Sequence, residues 1–144
     1  MPKKKLVFIF LVIVAIIIVF GYFTTKQSDK ITIQTSAGDI PIKNIYKNPV
    51  ENVSEKGVSF AEDNSFHISF YPQDQGFVIT ILSADVNNAR IQAETSFMNS
   101  LGINKAQACA LKVSLTVPFG VNPDLAGTNY GLSFCPNGKP FPNQ

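Results

Sequence analysis

Between Leu6 and Phe20 the chain holds no polar side chain, and Gly21, Tyr22 and Phe23 carry the apolar run to about 18 residues. As a helix it is roughly 27 Å long, close to the hydrocarbon thickness of a bilayer. Lipid offers no partner to backbone N–H and C=O groups, and a helix satisfies its own. Residues 6–23 are therefore expected to form a transmembrane helix despite their β-branched side chains. Lys3, Lys4 and Lys5 directly precede the run, whereas Lys26 and Lys30 behind it are partly offset by Asp29. The denser positive flank stays in the cytoplasm. The expectation is a single-pass cell-membrane protein, with a cytoplasmic stub at 1–5, an anchor at 6–23 and a spacer at 24–30. Residues 24–144 then lie outside the cytoplasm.

A cleaved signal peptide is the rival reading. Cleavage needs small residues at the last and third-last positions of the leader. The segment GYFTTKQSDK places Tyr22, Phe23, Lys26 or Gln27 there in most registers. No Cys ends the run for lipid attachment, and no Gly before it or Glu at its fifth position matches a type IV pilin leader. An uncleaved signal anchor fits better.

The anchor also distorts the charge balance. Setting aside Lys3, Lys4 and Lys5 from 12 basic residues leaves 9 against 10 acidic ones. A near-neutral exported part lacks the electrostatic footprint for a phosphate backbone, so no nucleic-acid partner is expected. Cys109 and Cys135 both fall in that part. In an oxidising compartment an even count points to one disulfide, with two buried free thiols as the alternative. Closing a loop of this length is worth about 3.5 kcal/mol in the chain-entropy model.

The periodicity after the spacer gives an α+β domain over 31–136 in the order ββ–ββ–α–ββ. ITIQT (31–35) and IPIKNIY (40–46) alternate around the turn-rich 36–39, a hairpin in which Pro41 marks an edge strand. The polar stretch 47–63 reads as a loop with at most a short strand at 58–60. Ser65 to Tyr71 alternates cleanly, with Phe66, Ile68 and Phe70 opposite His67, Ser69 and Tyr71. The turn PQDQG then leads into Phe77 to Leu82, which reads as a central strand covered on both faces.

From Asp85 to Leu101 the period changes. Val86, Ala89, Ala93, Phe97 and Leu101 recur at helical spacing, with Ser83 or Asp85 to cap the start and Gly102 the end. Asn104 and Gln107 offer a reciprocal cap for one further turn. Cys109 to Val117 and Tyr130 to Cys135 read as a closing pair of strands, and 137–144 as a disordered tail. An antiparallel sheet with one helix across a face is the expected packing. Whether the two cysteines bridge adjacent strands directly is left open by the pattern.

No catalytic constellation is visible. His67 is the sole histidine, and no serine sits in a GxSxG elbow. It reads as a solvated strand residue. Arg90 and Glu94, four apart on the helix, read as a solvated pair. Glu51, Glu55, Glu62 and Asp63 lack the spacing of a calcium loop, and no metal, cofactor or catalytic residue is assigned. Asn52-Val53-Ser54 matches a glycosylation acceptor. The connection 118–129 is the best candidate for partner binding. It is long, and it carries Phe119, Val121 and Leu125 ahead of Tyr130, more apolar surface than a solvated loop needs. Pro140-Phe141-Pro142 in the tail could in principle bind an aromatic groove, but a frayed terminus is expected.

TSAGDI (35–40) resembles the first strand of cyclophilin-type isomerases, but no later segment carries that family's catalytic motifs. ISFYPQDQGFVITI, ARIQAETSFMNSLGIN, AQACALKVSLTVP and GLSFCP together resemble single-pass, membrane-anchored exported proteins of small-genome bacteria. That resemblance implies a cell-surface setting and carries over no site residues. The expected function is a membrane-anchored binding or assembly module of the cell envelope, with a bilayer partner through 6–23 and an envelope protein partner. The alternatives are a small exported enzyme or enzyme accessory, and a ligand-sensing subunit acting through a membrane partner.

Overall fold

The computed structural model of the chain describes residues 28–54 and 57–142. The stub and the anchor lie outside the described residues. Among the described residues no helix is long and apolar enough to cross a membrane.

The elements run β1 (Lys30–Thr35), β2 (Gly38–Lys43), β3 (Glu51–Ser54), β4 (Gly57–Asp63), β5 (Phe66–Tyr71), β6 (Gly76–Ile81), α1 (Val86–Leu101), α2 (Lys105–Ala110) and β7 (Lys112–Thr116). The fold is α+β. β1 and β2 form a separate two-stranded sheet, and β3-β4-β5-β6-β7 form a second sheet in that order. β3 and β4 correct the reading of 47–63 as a loop. A β-bulge hid them. Ser59 faces Ser69 and Ala61 faces Ile68, so Phe60 is the extra residue, and the apolar alternation breaks there.

β6 pairs with β7 in parallel, which corrects the all-antiparallel expectation. The connection through α1 and α2 brings the chain back in its original direction, as a crossover between parallel strands requires. Cys109 and Ala110 end α2 rather than begin a strand, because the Asn104–Gln107 capping box starts a helix that runs through them. Nor is Tyr130 to Cys135 a strand. Asn129 Oδ1 accepts from Leu115 N–H at 3.0 Å, Tyr130 N–H donates to Leu115 O at 2.8 Å, and the chain then turns away through Gly131 at φ +60°.

α1 begins and ends as its sequence dictates. Asp85 accepts from Asn88 N–H, and Gly102 closes the helix in the left-handed region at φ 66°. Its last turn carries no basic residue of its own. Lys43 of β2 supplies one, donating from Nζ to Asn99 O at 3.0 Å. This contact docks the β1–β2 hairpin against the end of α1 and helps bury Ile33, Ile40 and Ile42. One face of the large sheet packs on α1 through Phe77 and Phe97, whose rings lie edge to face at 5.3 Å.

The chain beyond β7 completes the same side of the molecule. Leu125, Tyr130, Leu132 and Phe141 are all buried there, which corrects the expectation of a disordered tail for 137–142. Arg90 and Glu94 are buried as well, not solvated. Arg90 donates to the carbonyls of Lys139 and Gly131 at 2.8 and 2.9 Å, and its guanidinium lies 4.9 Å from the Phe141 ring centre. Helix, hairpin and C-terminal segment thus all contribute to one core, while the reverse face of the sheet is left half-exposed.

Candidate functional site on the reverse face of the sheet

Side chains alternate across a strand, so the residues between those facing α1 point to the reverse face. The registers set them in rows. Glu62, His67, Thr80 and Thr116 form one row across β4, β5, β6 and β7. Ser59, Ser69, Val78 and Ser114 form the next, and Tyr71, Gly76 and Lys112 the third. Nearly every member is polar or small, and Tyr71, Val78, Thr80, Ser114 and Thr116 are half-buried. Val78 and Thr80 leave β6 open on this side, which corrects the reading of that strand as covered on both faces.

His67 is the best-connected side chain in the rows. Its Nδ1 lies 3.1 Å from Glu62 Oε2, and its Nε2 lies 2.8 Å from Ser69 Oγ. An ionised carboxylate only accepts, so Nδ1–H donates to Glu62, and with that tautomer of the uncharged ring Nε2 is the acceptor for the Ser69 hydroxyl. The order is carboxylate, imidazole, hydroxyl. Chemically, such a chain can raise the nucleophilicity of a serine. Geometrically, Ser69 is only 3% exposed. It sits mid-strand between β4 and β6, where backbone N–H groups belong to the ladders and none is aimed at a developing oxyanion.

Two recesses border the third row. One, of about 250 Å³, is lined by Tyr71, Val78, Lys112, Ser114 and Asn129 among others. The other, of about 340 Å³, lies between the β1–β2 turn and α2 and includes Gln34, Ser36, Gln75 and Ala110. Asp74 and Lys112 line both, joined at 2.8 Å. The hydrogen bond from Lys112 holds the Asp74 carboxyl below the usual carboxylate range. At the far end of the sheet Asp63 is likewise lowered, by the Ser65 hydroxyl and then the Ser65 backbone N–H. Among the described residues no group of three or more His, Cys, Asp or Glu could hold a metal ion.

The residues singled out in the sequence fall in different places. Cys109 and Cys135 are disulfide-bonded, with Cα atoms 5.4 Å apart, and tie α2 to the C-terminal segment. Of the loop candidates, Leu125 and Tyr130 are buried, and the Tyr130 hydroxyl donates to Leu125 O at 3.2 Å. Val121 is half-buried, whereas Phe119 is 73% exposed. The loop therefore offers one free aromatic rather than an apolar surface. His67, Ser69 and Tyr71 were legible as one face of a strand. Glu62 was missed as their neighbour because its strand was hidden by the bulge. No family model, curated protein or solved structure matches the chain.

Proposed function

We propose that this chain is a membrane-anchored binding module of the cell envelope that receives a partner protein on the reverse face of its five-stranded sheet. The observation that supports this reading is the set of half-buried side chains His67, Tyr71, Val78, Thr80, Ser114 and Thr116 on this face, around the buried Ser59 and Ser69. Hydroxyl and imidazole groups on a flat, ladder-held surface are pre-organised for hydrogen bonding and have little side-chain entropy to lose. The anchor at 6–23 keeps that surface beside the membrane. The test is a photo-crosslinking phenylalanine analogue in place of Thr80, or of Ile91 on the outer side of α1, in the full chain in its own membrane. A discrete adduct from position 80, absent from position 91 and lost on Val78→Arg, is expected. Equal adducts from both positions, or an adduct indifferent to Val78→Arg, would overturn the reading.

A second reading, a small exported hydrolase, is favoured by the Glu62–His67–Ser69 chain alone. It requires Ser69 to react with a serine-directed fluorophosphonate, and Ser69→Ala or His67→Ala to abolish labelling. Absence of labelling in the folded chain removes it.

A further inference from the structure

We infer that the loop from Asn44 to Val50 rests in the lipid headgroup layer, with Tyr46 and Val50 as its apolar contacts and Lys30, at the start of β1, as the cation that meets lipid phosphate. This rests on the anchor reading given under Proposed function. It adds a second membrane contact, made by the folded domain itself.

Position is the first argument. The loop is fastened to the first described residues of the chain. Asn44 N–H donates to Asp29 O at 2.9 Å, Asn44 Nδ2 donates to Ser28 O at 2.9 Å, and Lys47 pairs with Asp29. Ser28 lies five residues after Phe23, the end of the apolar run. Even a fully extended chain covers only about 17 Å over that distance. The Asn44 end of the loop therefore stays within roughly that reach of the hydrocarbon boundary.

Surface chemistry is the second. Tyr46 is 41% and Val50 47% exposed, two of the five large apolar side chains exposed among the described residues, and both belong to this one loop. The Tyr46 ring packs edge-on against Phe70 at 6.4 Å, so its direction is fixed from within. Its partial burial raises the phenol pKa and keeps the hydroxyl neutral. A rigid tyrosine with a buried edge and a neutral polar tip suits the membrane–water interface.

Charge is the third. Lys30 and Lys43 stand directly opposite each other across β1 and β2, an arrangement that repels. Lys43 is accounted for by the end of α1, whereas Lys30 is exposed. Lys47 already pairs with Asp29, so an anionic surface at this end of the domain supplies a counter-charge to Lys30.

The chain contains no Trp, so one introduced Trp reports alone. Full-length Tyr46→Trp, Val50→Trp and Phe119→Trp chains are reconstituted in phosphatidylcholine vesicles with or without phosphatidylglycerol, some carrying a headgroup-level nitroxide lipid. Emission from Trp at 46 and 50 is expected to fall about twofold with the nitroxide lipid, as for rings at interface depth, and Trp at 119 to keep its intensity. The effect should weaken on Lys30→Glu, and in vesicles lacking phosphatidylglycerol. Carbonate-resistant flotation with the vesicles reads the anchor separately. Flotation without quenching at 46 and 50, or with equal quenching at 119, overturns the loop contact and leaves the anchor standing. Failure to float overturns both.

Discussion

Arg90 Nε lies 3.0 Å from Glu94 Oε1, one turn along α1, and both side chains are only 6% exposed. The same carboxylate accepts from Ser133 N–H at 2.6 Å and from the Ser133 hydroxyl at 2.5 Å. Arg90 meanwhile donates to Gly131 and Lys139 carbonyls. The pair is thus a clamp between the helix and a C-terminal segment that has no regular structure of its own.

Removing one partner leaves the other charge buried without its counter-ion. Arg90→Ala is expected to cost about 3–5 kcal/mol, and Glu94→Gln, which keeps an acceptor oxygen, about 1–3 kcal/mol. An apolar double replacement, Arg90→Met with Glu94→Leu, is expected to recover part of the loss. Urea denaturation followed by tyrosine near-ultraviolet dichroism measures all three. A double variant no more stable than Arg90→Ala would show that the hydrogen bonds to the C-terminal carbonyls, rather than the unpaired charge, dominate.

This clamp also shows what the sequence could and could not disclose. The helix was legible to its caps, because Val86, Ala89, Ala93, Phe97 and Leu101 repeat at its period and Asp85 and Gly102 bound it. Arg90 and Glu94 share that stripe, but charge spacing alone reads the same on a wet surface as in a core. The β5–β6 hairpin was legible from alternation, although the positive φ in its turn falls on a non-glycine residue, Gln75. The parallel β6–β7 pairing was not, since a parallel partner is fixed by the crossover and not by local pattern. Of the reverse face, β5 gave its own three residues, and the rest needed registers that only the folded sheet defines.

Gly138 marks a second point of close fit. A Cβ there would stand 2.1 Å from Leu132 O and 3.0 Å from Cys135 O, both backbone atoms that cannot swing aside. Gly138→Ala is expected to destabilise by more than about 2 kcal/mol, through displaced backbone rather than dihedral strain. At Gly120 a Cβ meets nothing within 4 Å. Gly120→Ala is expected to stay within about 0.5 kcal/mol of wild type. Equal effects of the two substitutions in urea denaturation would contradict the packing described for 131–141.

The Cys109–Cys135 bridge closes a separation of 26 residues around β7 and the loop that follows. Reduction, or Cys109→Ser with Cys135→Ser, is expected to lower stability by about 3.5 kcal/mol, mostly by releasing the unfolded chain. The folded arrangement should survive, because Tyr130 and Arg90 hold the segment independently. Near-ultraviolet dichroism of the reduced chain tests this, and a native-like spectrum with a lower denaturation midpoint is the expected outcome.

Acid should weaken the domain at two identifiable turns. Asp63 accepts from the Ser65 hydroxyl and backbone N–H, both at 2.6 Å, and from Phe66 N–H at 3.2 Å. Asp74 accepts from Lys112 at 2.8 Å. Both carboxyls are lowered in the folded chain relative to their ordinary value near 3.8. Folding therefore favours their ionised forms. The stability they contribute is complete above about pH 4 and is lost as pH falls through their depressed folded values. Asp63→Asn is expected to lower the thermal midpoint at about pH 5 and to converge with wild type as pH falls through the depressed folded value of Asp63. Salt separates the two sites. At about 1 M the screening length is roughly 3 Å, which weakens the exposed Asp74–Lys112 pair but spares hydrogen bonds to neutral donors at Asp63. Wild type should then keep the Asp63 part of its acid sensitivity in high salt, and Asp74→Asn should change that sensitivity only in low salt. If salt instead abolished the Asp63-dependent difference, long-range charge rather than the Ser65 hydrogen bonds would be what lowers that carboxyl.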